Sequence, residues 1–165
     1  MSIIKQSFLL VWALLLLGIV CYLIKQLAFG KRKTNESINV SEAIYLASLV
    51  IAAGLIFQKV LQSIAVAFDN ISKMQYDKIY FQFIKTSSAI SVSGIILFVV
   101  SLYMARFLST LFFGNRKPIV EFGDDNWSYS IIRGALMLTV SFMLLQVGES
   151  IFSYLIPGIT LPYYR

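Results

Sequence analysis

Five polar side chains interrupt otherwise apolar runs: Gln58, Lys59 and Gln62 in one, Gln146 and Glu149 in another. An ionised group placed in hydrocarbon costs about 2.5–3.5 kcal/mol on insertion scales, so a lone Lys and a lone Glu each need a partner. Lys59 and Glu149 are natural partners, within one chain or between copies. Two uses are open to them. One is a structural ion pair near the outer interface, with Lys59 snorkelling toward water. The other is a ring of Lys, Glu and Gln at the outer mouth of a pore shared by several copies, where charged rings set ion selectivity. A third run carries Ser87, Ser91, Gly94, Ser101 and Ala105 at near-helical spacing. Such a small, weakly polar stripe makes a tight helix contact or lines a hydrated path.

The remaining chemistry is basic. Phe29-Gly30-Lys31-Arg32-Lys33 and Phe113-Gly114-Asn115-Arg116-Lys117 share Phe-Gly, one variable residue and Arg-Lys. As topology signals and headgroup contacts these bases need no further role. Gathered in an oligomer, Lys31, Arg32, Lys33, Arg116 and Lys117 would form an electropositive surface for a nucleotide, an oligonucleotide or an acidic protein. The chain has no His, which removes the usual general base and the commonest metal ligand. One Cys, no cluster of acids in the apolar runs, no Gly-rich phosphate loop and no Gly-x-Ser-x-Gly elbow argue against an enzyme, a metal centre or a bound cofactor.

The elements that must position these residues follow from composition. Of 165 residues 58% are hydrophobic and 13% charged, against a usual charged fraction of about a quarter. Mean hydropathy is +0.78. With about 20 apolar residues per crossing, the length suits an all-α integral membrane protein of four spans and little else. The expected spans are about 7–29, 43–68, 87–113 and 127–156, forming a single domain over 1–165. The run from Phe8 to Ile24 is too long for a secretory h-region and reads as a retained first span. Cys21 within it is a small apolar filler. Between spans two and three, Asp69 to Thr86 mixes Lys73, Lys78 and Lys85 with Tyr76, Tyr80, Phe81 and Phe83, the composition of a segment lying in the interface. Ser41 and Glu42 suit the start of span two, and Asp125 or Asn126 can cap the fourth helix.

Internal similarity divides the chain into two tandem two-helix repeats. Tyr22 matches Tyr103 at 81 residues, Phe29 matches Phe113 at 84, and Asn39-x-Ser41-x-x-Ile44 matches Asn126-x-Ser128-x-x-Ile131 at 87. Two short insertions bring the halves into register. Lys59 then corresponds to Gln146 and Gln62 to Glu149, which puts both polar patches at similar depth in the outer half of the membrane. Four spans leave both termini on one side. Eight bases (Lys25, Lys31, Arg32, Lys33, Arg106, Arg116, Lys117, Arg133) fall on the face of the two Phe-Gly loops and six (Lys5, Lys59, Lys73, Lys78, Lys85, Arg165) on the other. The positive-inside rule makes the loops cytoplasmic and the termini external.

Two consecutive helix pairs, each second helix opening with Asn and a small-residue apolar run, resemble the bacterial four-helix membrane family known as domain of unknown function three-fifty. The residues concerned are Asn39 to Leu55 and Asn126 to Val140. The resemblance implies a four-helix fold in a bacterial inner membrane. In size and span count the chain is also similar to small four-span effectors of bacterial antiphage systems, some of which are channels controlled by nucleotide-type ligands. The expectation is therefore a homo-oligomeric ion channel or pore-forming effector of a bacterial inner membrane. An anionic ligand or cytoplasmic partner would control it at the basic loops. The alternative is a non-conducting membrane anchor that recruits a cytoplasmic protein.

Overall fold

The computed structural model describes residues 2–26, 38–73, 79–114, 120–121 and 124–158. Among them the chain forms four long helices and no strand: α1 (Ser2–Ile24), α2 (Val40–Lys73), α3 (Ile79–Phe113) and α4 (Trp127–Leu155). All four are long and apolar enough to cross a membrane. α2 and α3, at 34 and 35 residues, exceed that need. At 1.5 Å per residue each extends about 51 Å, so their ends reach past a hydrocarbon layer of about 30 Å.

The helices run beyond the expected spans 43–68 and 87–113 into the stretch from Asp69 to Thr86. Asp69–Lys73 completes α2 and Ile79–Thr86 opens α3, while Tyr76 and Lys78 lie outside the described residues. Packing explains the extension. The Phe83 ring meets Phe8 at 4.4 Å and Phe68 at 4.7 Å between centroids, both edge-on, so Phe83 continues the buried face of α3, while Tyr80 and Phe81 stay exposed.

Local signals set the ends. α2 starts after Asn39, whose backbone N–H donates to the Glu42 carboxylate at 3.2 Å, the acid reaching back as in a capping box. Ser41 is therefore inside the first turn rather than at the cap. α3 stops at Gly114, whose φ of +67° is the left-handed conformation that glycine adopts without a Cβ penalty. Asn126 caps α4 by accepting from the Tyr129 N–H at 3.2 Å. Pro157 follows the C-terminal end, where it cannot continue a helix.

α2 is the central element, packed against α1, α3 and α4. α2 and α4 run in the same direction, joined in order by Ser41 with Ser130, Lys59 with Glu149 and Asn70 with Pro157. α1 and α3 run the other way; Lys5 at the start of α1 pairs with Asp69 near the end of α2 at 2.7 Å. Trp12 Nε1 donates to Ser91 Oγ at 2.7 Å, tying α1 to α3. Close helix approach depends on three buried glycines. A Cβ on Gly94 would run into Val60, one on Gly134 into Ser48, and one on Gly148 would lie 2.7 Å from Leu97. Gly18 and Gly54, by contrast, face open space.

Candidate functional site

Lys59 and Glu149 meet across the α2–α4 seam, with Lys59 Nζ 2.7 Å from Glu149 Oε1. Neither is sealed in: their side chains are 37% and 50% exposed. Gln58 and Gln62 on α2 and Gln146 on α4 are exposed beside them. The five residues thus form one belt on the outward surface of two neighbouring helices, because α2 and α4 run parallel with Lys59 and Glu149 at one level. No amide of the belt makes a side-chain hydrogen bond among the described residues.

The belt interrupts an apolar surface. Val50, Ile51 and Val66 bracket it along α2, and Phe142, Met143, Val147 and Ile151 along α4, all exposed. Charged levels lie to either side. Asp69, paired with Lys5, is about 15 Å beyond Lys59 along α2, and Tyr45, stacked on Arg133, is about 21 Å before it. Lys59 therefore sits between the two charged levels, nearer the end that carries the start of α1. α1 and α2 also border an open groove of about 430 Å³ next to the belt, lined by Ala13, Leu17, Cys21, Val50, Gly54 and Gln58 among others.

The serines of α3 are elsewhere. Ser87, Ser91 and Ser101 are buried on the inward side of the helix. Ser91 donates to the Ser87 carbonyl at 2.8 Å while accepting from Trp12, and Ser101 donates to the Phe98 carbonyl at 2.8 Å. Of the two readings open for this stripe, the observed contacts are those of helix packing. The bases Lys31, Arg32, Lys33, Arg116 and Lys117 lie outside the described residues.

A second polar cluster joins the starts of α2 and α4. The Ser41 backbone N–H donates to Asp125 Oδ1 at 2.9 Å, its hydroxyl donates to the Asn126 carbonyl at 3.1 Å, and the Ser41 and Ser130 hydroxyls share a short hydrogen bond. Asp125 holds φ at +50°, a left-handed conformation that Asp tolerates. Its carboxylate also accepts from Trp127 Nε1 at 2.9 Å. The Trp127 indole first, and then the Ser41 amide, hold its carboxyl below the ordinary value of 3.8. One turn deeper, Arg133 is 4% exposed. It donates to the Tyr129 hydroxyl at 2.8 Å and stacks over the Tyr45 and Tyr129 rings at 5.0 and 5.7 Å. Spacing within one helix gives no sign of this cage. The only available signal is a base set one to two turns inside an apolar run.

Among the described residues no group of three or more His, Cys, Asp or Glu side chains could hold a metal ion. Comparison of the chain with protein-family models, curated proteins and solved structures gives no match.

Proposed function

We propose that the chain is a multi-pass protein of a bacterial inner membrane whose copies assemble into an ion channel or pore-forming effector. The observation that carries this reading is the belt of Gln58, Lys59, Gln62, Gln146 and Glu149, exposed in the middle of an apolar surface. Hydrocarbon cannot satisfy these groups, so by default they mark an aqueous path or a contact between copies. A single four-helix chain is too small to enclose a wide path, and several copies would surround it. The descent from two tandem repeats is supported by register. Hydrogen bonds between the starts of α2 and α4 join Ser41 to Asp125, Asn126 and Ser130, close to the 84- and 87-residue offsets of the matched motifs. In this reading the Phe-Gly loops are cytoplasmic, both termini are external, and an anionic ligand or acidic partner acts on the loops. Layout analogy makes antiphage defence the biological setting.

Recording from purified oligomers in planar bilayers tests the reading. Current should flow, and its selectivity should move toward anions in Glu149→Gln and toward cations in Lys59→Met, because each change leaves one sign of charge on the belt. Absence of current from intact oligomers under all ligands overturns it.

The closed Lys59–Glu149 pair favours a second reading, since the neutral pair also suits a non-conducting anchor. Such an anchor recruits a cytoplasmic protein through Lys31, Arg32, Lys33, Arg116 and Lys117. Neutralising Arg32, Lys33, Arg116 and Lys117 should then abolish recruitment without affecting insertion. Recruitment that survives all four changes excludes it.

A further inference from the structure

We infer that the outward face of α2, with the adjoining edge of α4, docks a second copy of this chain across a two-fold axis, α2 against α2. The inference rests on the membrane assembly proposed above and names one face through which its copies pair; a two-fold contact closes with two copies, so a path surrounded by more of them needs a further contact between such pairs. Three observations carry it.

The first is the amides. Gln58, Gln62 and Gln146 are exposed beside valines, isoleucines and a phenylalanine, with no side-chain partner among the described residues. A carboxamide presents both a donor and an acceptor, so it is complementary to a second carboxamide. A two-fold interface brings each surface against itself and suits self-complementary groups.

The second is charge. Lys59 and Glu149 lie side by side and half-exposed on this face, so its ionic part is neutral and carries both signs. Two such faces turned by half a rotation can set each cation near an anion. A face of one sign would repel its copy.

The third is the room for backbone approach. Ala43, Ala47 and Gly54 lie exposed on the same face as Gln58 and Gln62, at helical spacing. The buried glycines Gly94, Gly134 and Gly148 are each explained by a neighbouring helix of the same chain, whereas a Cβ on Gly54 would meet nothing within 4 Å. An outward glycine costs a helix about 1 kcal/mol relative to Ala, and packing within one chain gives nothing back for it. A partner helix does, because small residues let two backbones approach while polar side chains bond across. Between Thr86 and Leu102 the exposed residues of α3 are Val92, Ile96 and Val100, all large and apolar, which suits lipid.

Cysteine cross-linking in native membrane vesicles tests this directly, because Cys21 is the chain's one cysteine and Cys21→Ala gives a thiol-free background. Single cysteines are placed at Gly54 and Gln58 on α2 and at Val92 and Val100 on α3, and oxidised with copper phenanthroline. Gly54→Cys adds a side chain where nothing is met, so the fold tolerates it. The α2 positions should give dimer yields about fivefold or more above the α3 positions, since residues near a two-fold axis face their own copies. Gln58→Leu with Gln62→Leu should lower the dimer fraction about tenfold by removing the bonds across the interface. Equal or higher yields from Val92 and Val100, or no dimer from either α2 position, overturn the proposal. Its failure is separable from that of the channel. Dimers through α2 without current remove the channel reading alone, and current with cross-links through α3 removes the interface alone.

Discussion

The Arg133 guanidinium carbon lies 5.0 Å from the centre of the Tyr45 ring, which places a buried cation of α4 against the face of an aromatic on α2. Tyr129 supplies a hydroxyl acceptor at 2.8 Å from the same guanidinium. Tyr45→Leu should lower stability by about 0.5–2 kcal/mol, the range for a cation–π contact from exposed to desolvated. Tyr129→Phe should cost about 1–3 kcal/mol, because it removes an acceptor from a buried charged donor. Unfolding of the purified variants in mild detergent reads both.

Gly94 and Gly54 should respond in opposite directions to the same substitution. Gly94→Ala forces Val60 to move, and Val60 is β-branched with little rotamer freedom. The expected loss is about 1–3 kcal/mol, as for other overpacked contacts. Gly54→Ala meets nothing within the chain and should leave the monomer unchanged or stabilise it by up to about 1 kcal/mol. Thermal unfolding of monomeric detergent particles separates the two.

Asp125 should make the start of α2 sensitive to acid. Its carboxyl titrates below 3.8 because Trp127 and the Ser41 amide bond the ionised form. A depressed folded-state value means that the stabilisation is fully present above the unfolded value and lost as pH falls through the folded one. The stability gap between the wild type and Asp125→Ala should therefore be constant from about pH 6 down to about pH 5 and close below 3.8. A gap that persists after protonation would assign the effect to something other than the ionised carboxylate.

Lys59 and Glu149 should be energetically coupled. Lys59→Met or Glu149→Gln alone leaves one unpaired charge on an otherwise apolar surface, at a cost of up to about 3 kcal/mol in a bilayer. The combined variant, Lys59→Met with Glu149→Gln, should cost less than the two single losses added together by at least half of one of them. A double-mutant cycle in lipid vesicles measures the coupling.

How much of this was legible in the sequence depends on the range of each signal. Four helices follow from four apolar runs long enough to span, and Lys59 with Glu149 follows from the need of isolated charges for each other. Capping by Asn126 is also local, because its side chain reaches only three residues ahead. The end of α2 and the start of α3 were not legible. Their aromatics and bases have an interfacial composition, and no local spacing encodes the contact of Phe83 with Phe8 and Phe68 that buries this one aromatic at the start of α3. The Arg133 cage was not legible either, since Tyr45 belongs to a helix whose register against α4 no local spacing encodes. The bond from Trp12 to Ser91 was not legible either, because spacing within α3 does not encode its packing against α1.

The bond from the Ser41 amide to Asp125 has a consequence for the order of events in the cell. The opening turn of α2 is completed by a side chain from the stretch that introduces α4. A ribosome delivers α2 well before that side chain exists. Until the last quarter of the chain emerges, α2 must wait with its first turn unfinished, and a nascent chain stopped after α3 lacks the group that closes it.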